Sequence, residues 1–99
     1  MNRRQPNRHR LAILAFTFIL RAYELANRTP DAAYNVGRAF HQLDLCYLAI
    51  PYYQKALEPL PGQPPATFRR EAAFNLSLIY RKAGAHEAAR RIMAKYLEF

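Results

Sequence analysis

Apolar side chains recur along this chain at helical intervals, and short groups of turn-forming residues separate the segments that carry them. In residues 9–28 the large apolar positions include Leu11, Leu14, Phe18 and Leu25, and no proline or glycine interrupts the run between them. Intervals of this kind place side chains on one face of a helix. The pattern therefore predicts a leading helix over residues 9–28.

The next segment, residues 30–61, predicts a helix, a tight turn and a second helix. Thr29 is a suitable N-cap for the first of these helices, and Pro30 suits its first position, where an N–H is not needed. Small and aromatic residues follow at fixed intervals, at Ala33, Val36, Gly37, Phe40, Ala49, Tyr53, Ala56 and Pro61. This is the spacing of a tetratricopeptide repeat. Gly37 and Ala49 are expected where the two helices cross, because larger side chains there would push the backbones apart.

The second half of the chain repeats this spacing. The corresponding positions are Ala73, Leu76, Ser77, Tyr80, Gly84, Ala89 and Met93. Gly37 and Ser77 are 40 residues apart, which exceeds the roughly 34-residue period of the repeat. The surplus falls around a proline-rich loop, residues 62–65, where a helix cannot continue. A second repeat is therefore expected over residues 66–99, ending in a helix over residues 85–97.

Together these segments predict an all-α fold of about five helices, arranged as tetratricopeptide-type hairpins that form part of a right-handed solenoid. With 99 residues, of which 52% are hydrophobic, the chain has room for one small domain. The residues expected to pack the repeats are Ala33, Gly37, Phe40, Ala49, Tyr53, Ala56, Ala73, Ser77, Tyr80 and Ala89. Such a stack ends in uncovered apolar faces on its first and last helices, so self-association of the isolated chain is expected.

Charge is the second informative property of the sequence. The chain has 15 Lys and Arg against 7 Asp and Glu, a net charge of +8, which predicts attraction to an acidic protein or to a phosphate backbone. Residues 1–8 are expected to form a basic arm that need not be ordered. This basic start and the apolar run after it resemble a secretory signal, but Arg21 closes the run well short of the roughly 20 residues that span a bilayer. The interpretation we favour is a buried helix without membrane contact.

Several segments of the sequence share more residues with a known family than the repeat spacing alone would require. GRAFHQL, LAIPYYQKAL and AAFNLSLIY resemble the C-terminal part of the tetratricopeptide-repeat subunit of transcription factor TFIIIC, the assembly factor of RNA polymerase III. The resemblance extends over residues 8–99 and implies that the chain is a fragment of a longer, nuclear protein. It further implies a non-enzymatic scaffold in the half of TFIIIC that binds the internal A box, with other TFIIIC subunits, and by extension TFIIIB components, as partners.

The hairpin pattern itself favours binding over catalysis. The first helix of each hairpin is expected to line a concave groove that holds a partner peptide. The expected groove residues are Tyr34, Asn35, Arg38, His41, Phe74, Asn75, Arg81 and Lys82. Their amides and cations suit an acidic segment or a peptide carboxylate. The alternative is that the Asn side chains form hydrogen bonds only within their own repeats.

A separate basic set is a candidate for phosphate contacts. Its members are Arg3, Arg4, Arg8, Arg10, Arg69, Arg70, Arg90, Arg91 and Lys95. Contacts to DNA through these residues would depend on salt and ignore base sequence, because the sequence has no recognition-helix signature or aromatic platform. The alternative for this set is a solvated helix face or a disordered arm. For the chain as a whole, the alternative is a tetratricopeptide adaptor unrelated to transcription.

Catalysis has no support in the sequence. The histidines His9, His41 and His86 are scattered, and no Ser or Cys is paired with a His and an acid at a predictable spacing. The single cysteine, Cys46, excludes an internal disulfide, and no Cys/His cluster has zinc spacing. We therefore expect no catalytic residue, no metal and no cofactor.

Overall fold

The chain folds into five helices, in agreement with the helical periodicity of its sequence. The computed structural model describes residues 4–97, with side chains from residue 9 onward, and within that range it contains no strand. The helices are α1 (Arg4–Leu25), α2 (Pro30–Gln42), α3 (Cys46–Leu57), α4 (Arg69–Lys82) and α5 (His86–Tyr96). The all-α fold with about five helices is confirmed. Helix α1 begins at Arg4, inside the segment expected as a basic arm, and α5 is one residue shorter at each end than expected.

The helices pack in the order in which they follow one another. Helices α2 and α3 form one hairpin and α4 and α5 form a second, and α3 is the main link between them because it packs against α4. Helix α1 packs against α2. This neighbour-to-neighbour arrangement is compatible with the tetratricopeptide type, in which each hairpin mainly contacts the next. The right-handed solenoid remains a prediction.

The core is built around one close contact within the first hairpin. A Cβ atom added to Gly37 would lie 2.8 Å from Cδ1 of Tyr53, so the ring of Tyr53 lies directly against the α2 backbone. Tyr53 and Phe40 are the largest fully buried side chains. Of the ten residues expected to pack the repeats, nine are buried and Tyr80 is half-buried. Glycine at position 37 is therefore a steric requirement of the hairpin.

The helix ends follow from local chemistry. The side chain of Thr29 accepts a hydrogen bond from Ala32 N at 3.2 Å, and Pro30 begins α2, so the expected N-cap is observed. The two hairpin turns use the same left-handed backbone conformation, at Asp44 (φ 64°) and Gly84 (φ 85°). Glycine adopts this conformation freely, whereas Asp44 is one of the few residue types that tolerate it.

The connection between the hairpins is longer than expected and is attached to the first hairpin. It comprises residues 58–68, not only the predicted loop of residues 62–65. Thr67 donates to both carboxylate oxygens of Asp31, from its backbone N at 2.6 Å and from its hydroxyl at 3.0 Å. Gln63 Nε2 donates to the carbonyl oxygen of Arg28 at 3.2 Å. These bonds hold the loop against the start of α2.

Helix α1 is only partly covered. Its inner side contributes Phe16, in an edge-to-face contact with Phe40 at 5.1 Å, and Tyr23, in the same geometry with Tyr52 at 5.3 Å. Ile19 and Leu20 are half-buried against the core. The large apolar side chains of the outer side are exposed by 59–75%, and they are Leu11, Ile13, Leu14, Phe18 and Leu25. The interpretation of this segment as a buried helix is therefore wrong for the outer side of α1, whereas the uncovered apolar face expected on the first helix is present.

Replacing Gly37 by leucine tests the central contact. We expect Gly37→Leu to lower the free energy of unfolding by about 3 kcal/mol, because overpacking against Tyr53 outweighs the roughly 0.8 kcal/mol gained in helix propensity. Urea unfolding followed by circular dichroism measures the change. Arg38→Leu is the matched control, since the same side chain enters at the next, exposed position and should change stability by less than about 0.5 kcal/mol. Equal unfolding curves for the two variants would contradict the steric argument.

Candidate partner-binding site

A buried tyrosine hydroxyl joins the first helices of the two hairpins. The phenol oxygen of Tyr53 lies 3.1 Å from Nδ1 of His41 in α2 and accepts a hydrogen bond from Nδ2 of Asn75 in α4 at 3.3 Å. Because Asn75 supplies a hydrogen to the phenol oxygen, the hydroxyl is free to donate to Nδ1 when that nitrogen carries no proton. The three side chains therefore form one polar network across the two hairpins.

The network forms the floor of a small depression. Arg38 and Gln42 complete its lining, and the depression, which is open to solvent, has a volume of about 260 Å³. Burial raises the pKa of Tyr53 to about 12, although the Asn75 hydrogen bond and the charge of Arg38 act in the opposite direction. The depression thus offers an amide, an imidazole and a guanidinium to a ligand, while the buried Tyr53 hydroxyl is engaged by His41 and Asn75. That combination suits a carboxylate.

The structure distributes the expected groove residues over several places. It brings together Arg38, His41 and Asn75. Tyr34 is only 8% exposed and packs against the rings of Tyr53 and Phe68, so it contributes packing rather than a polar contact. The remaining members, Asn35, Phe74, Arg81 and Lys82, are exposed. Asn35 lines a depression against α1, and Arg81 and Lys82 line one beside the hairpin turns.

The two asparagines also differ from each other. Asn75 forms its hydrogen bond with Tyr53 of the preceding hairpin, so the alternative of bonding only within its own repeat is wrong for this residue. Asn35 lies on the other side of α2, exposed beside α1. Equivalent positions in the two repeats therefore have different roles.

Some of the candidate phosphate-binding side chains are engaged within the protein. Arg90 pairs with Glu87 at 2.9 Å. Arg69 and Lys95 both lie over the ring of Tyr96, at 5.2 and 5.3 Å from its centroid. The members that are exposed are Arg10, Arg69, Arg70, Arg90, Arg91 and Lys95. Arg3 lies outside the described residues, as do the side chains of Arg4 and Arg8.

Sequence reasoning missed the site's central group. Tyr53 was expected only to pack, and Gln42 was not considered. The available signal was the residue type, because a tyrosine at a fully buried position needs a hydrogen-bond partner for its hydroxyl. The half-buried Tyr80 also has a partner in the first hairpin, because Gln54 Nε2 donates to its hydroxyl at 3.0 Å.

Two further findings concern the residues that the structure describes. Within residues 9–97, no group of three metal-ligating side chains lies close enough together to hold a metal ion. None of the helices in the described range has the length and apolar character needed to cross a bilayer.

Fold and site together define an all-α protein of the tetratricopeptide type, with a polar depression on the first helices of its hairpins. The sequence is 41% identical over 95 residues to General transcription factor 3C polypeptide 3 from Homo sapiens. It is 34% identical over 117 residues to Transcription factor tau subunit sfc4 from Schizosaccharomyces pombe, and 40% identical over 67 residues to Transcription factor tau 131 kDa subunit from Saccharomyces cerevisiae.

These matches cover 90%, 100% and 68% of this chain, but only 11%, 12% and 6% of the relatives. The chain belongs to the family of these TFIIIC subunits, and it spans about a tenth of the length of the first two. No protein-family model matches the sequence, and no solved structure matches it.

The elevated pKa of Tyr53 gives a pH prediction. In the folded protein the pKa of Tyr53 is about 12, above its usual value of 10.0. The contribution of the neutral Tyr53 hydroxyl to the free energy of unfolding is therefore complete below pH 10, and it is lost as the pH rises through 12. An absorbance titration should show a tyrosine that ionises late, and Tyr53→Phe should remove that phase and reduce the loss of stability at high pH. Tyr47→Phe is the control, since Tyr47 is 87% exposed. If the late ionisation persists in Tyr53→Phe, it belongs to another tyrosine and the prediction is wrong.

Proposed function

We propose that this chain is a non-enzymatic scaffold segment of a TFIIIC-type subunit, and that it supports assembly of the half of TFIIIC that binds the A box. In this role it acts in the nucleus, in initiation by RNA polymerase III, and its direct partners are other TFIIIC subunits. The proposal further places the segment in the C-terminal part of the subunit. Relatives in three species that are named as transcription factor subunits support it.

The observation that carries the proposal is the network at Tyr53. His41 and Asn75 come from different hairpins and meet at one hydroxyl, so the depression exists only when the two hairpins are correctly packed. Its lining provides hydrogen-bond donors and one exposed cation, Arg38, as expected of a surface that recognises an acidic segment of a partner protein. We include no catalytic step in the proposal.

Charge reversal at Arg38 tests the scaffold role. The tagged chain should retain TFIIIC subunits from a nuclear extract, as identified by mass spectrometry. Arg38→Glu should reduce that retention by about tenfold, because a carboxylate partner would then meet a like charge. Arg91→Glu makes the same change in net charge on the exposed surface of α5 and should leave retention unchanged. Failure of the wild-type chain to retain any TFIIIC subunit would overturn the proposal.

Direct contact with DNA is the competing role, and the same variants distinguish it. A titration with A-box DNA at two salt concentrations gives a steep salt dependence if the basic residues follow phosphates. In that case Arg91→Glu should weaken binding at least as much as Arg38→Glu. Tight binding of this kind by the chain alone, without retention of TFIIIC subunits, would favour the DNA-contacting role.

The outer side of α1 predicts self-association of the isolated chain. Phe18 is 75% exposed and lies among other uncovered apolar side chains, so a second copy can bury the surface. We expect sedimentation velocity to show association that increases with concentration, and we expect Phe18→Glu to shift the chain toward monomer. Thr17→Glu is the control because Thr17 is exposed on the same helix. A wild-type chain that sediments as a monomer at high concentration would contradict this prediction.

A further inference from the structure

A second and larger depression lies where the two hairpin turns meet, and we call it the turn-edge groove. One wall is formed by the turn between α2 and α3 and by the start of α3, and the other by the end of α4 and the start of α5. Its volume is about 1120 Å³. Sites for small molecules typically have volumes of roughly 300–1,000 Å³. A groove of this size suits a segment of polypeptide.

The floor of the turn-edge groove is apolar. Ile79 is buried, and Leu45 and Ile50 are half-buried beside it. Leu78 and Tyr47 stand at its edges, exposed by 37% and 87%. A tyrosine presented in this way is a typical anchor in protein interfaces, because it covers a large apolar area and loses little conformational entropy. The floor therefore selects a partner with large apolar side chains.

The rim of the groove is basic. Arg81 and Lys82 are exposed, and in the described part of the chain neither has an ion-pair partner. Asp44 is the only carboxylate in the lining, and the lining also includes His41 and His86. The groove thus combines an apolar floor with an excess of positive charge. A segment that carries carboxylates beside its apolar side chains is its electrostatic complement.

Helix termini of both signs lie at this edge, because α2 and α4 end here and α3 and α5 begin here. Helices α3 and α5 both begin at the groove, and neither N-cap residue makes a side-chain hydrogen bond to its helix. The first N–H groups of a helix carry a partial positive charge. The ends of α2 and α4 carry the opposite partial charge and offset this contribution, so the positive potential of the groove comes from Arg81 and Lys82.

We propose that the turn-edge groove binds an acidic amphipathic segment of another protein. Apolar side chains of the segment pack between Ile50 and Leu78, and its carboxylates face Arg81 and Lys82. This assigns Arg81 and Lys82, which the sequence pattern grouped with Arg38, to a separate site. The proposal goes beyond the scaffold role, because it does not depend on which complex contains the chain.

A synthetic peptide tests this proposal on the whole chain. The probe is a fluorescein-labelled peptide in which Leu and Phe residues alternate with pairs of Asp and Glu, and its binding is followed by fluorescence anisotropy. We expect Arg81→Glu combined with Lys82→Glu to weaken binding by at least about tenfold. The matched control, Arg90→Glu combined with Arg91→Glu, makes the same change in net charge on α5 and should stay within about threefold. Circular dichroism establishes that both variants remain folded.

A second peptide and an NMR map distinguish binding at the turn-edge groove from non-specific electrostatic binding of an acidic peptide. In the second peptide the Leu and Phe residues are replaced by Ser, and it should bind at least about tenfold more weakly because the apolar floor is then unused. Shift changes in the spectrum of the ¹⁵N-labelled chain should centre on Tyr47, Ile50 and Leu78. Equal affinity for the two peptides, equal loss in the two variants, or shift changes centred on Arg38 would each overturn the proposal. None of these results bears on retention of TFIIIC subunits, so the two proposals can fail separately.

Discussion

The contact between the Gly37 backbone and the Tyr53 ring is the constraint on which the rest of this structure depends. A single added methyl group at position 37 would come within 2.8 Å of that ring. Because the ring fits flat against α2, its hydroxyl emerges between α2 and α4, where His41 and Asn75 reach it. Apolar packing in one hairpin thereby determines the polar site shared by two. A phenylalanine at position 53 would keep the packing but leave the amide and the imidazole without their common partner.

The protein presents two surfaces of different chemistry on the same hairpins. The depression at Tyr53 is small and polar, whereas the turn-edge groove is larger and has an apolar floor. His41 lines both, so the two surfaces adjoin. The total charge of +8 favours acidic partners in general, but the lining residues decide which kind of acidic partner each surface suits. Net charge therefore accounts for attraction, and local packing accounts for selectivity.

The sequence was sufficient for features that arise from local periodicity. The all-α fold with about five helices and the Thr29 cap depend on residues close together in the chain, and both could be predicted. Contacts between distant residues could not, because no interval in the sequence links Thr67 to Asp31 or Asn75 to Tyr53. The same limit explains Tyr34, whose position suggested the groove although its ring is buried against Phe68. Arg90 is a different case, because Glu87 lies three positions earlier on the same helix and the ion pair could have been predicted from the spacing alone.

The bonds between Asp31 and Thr67 have a mechanical consequence. They join the first turn of α2 to Thr67, two residues before α4, across a separation of 36 positions. The intervening chain, which includes nearly all of α2 and the whole of α3, is therefore closed into a ring. In a longer array of hairpins, this pair of hydrogen bonds would resist rotation of one hairpin relative to the next. The array would therefore be stiffer at this junction than at a junction held only by apolar packing.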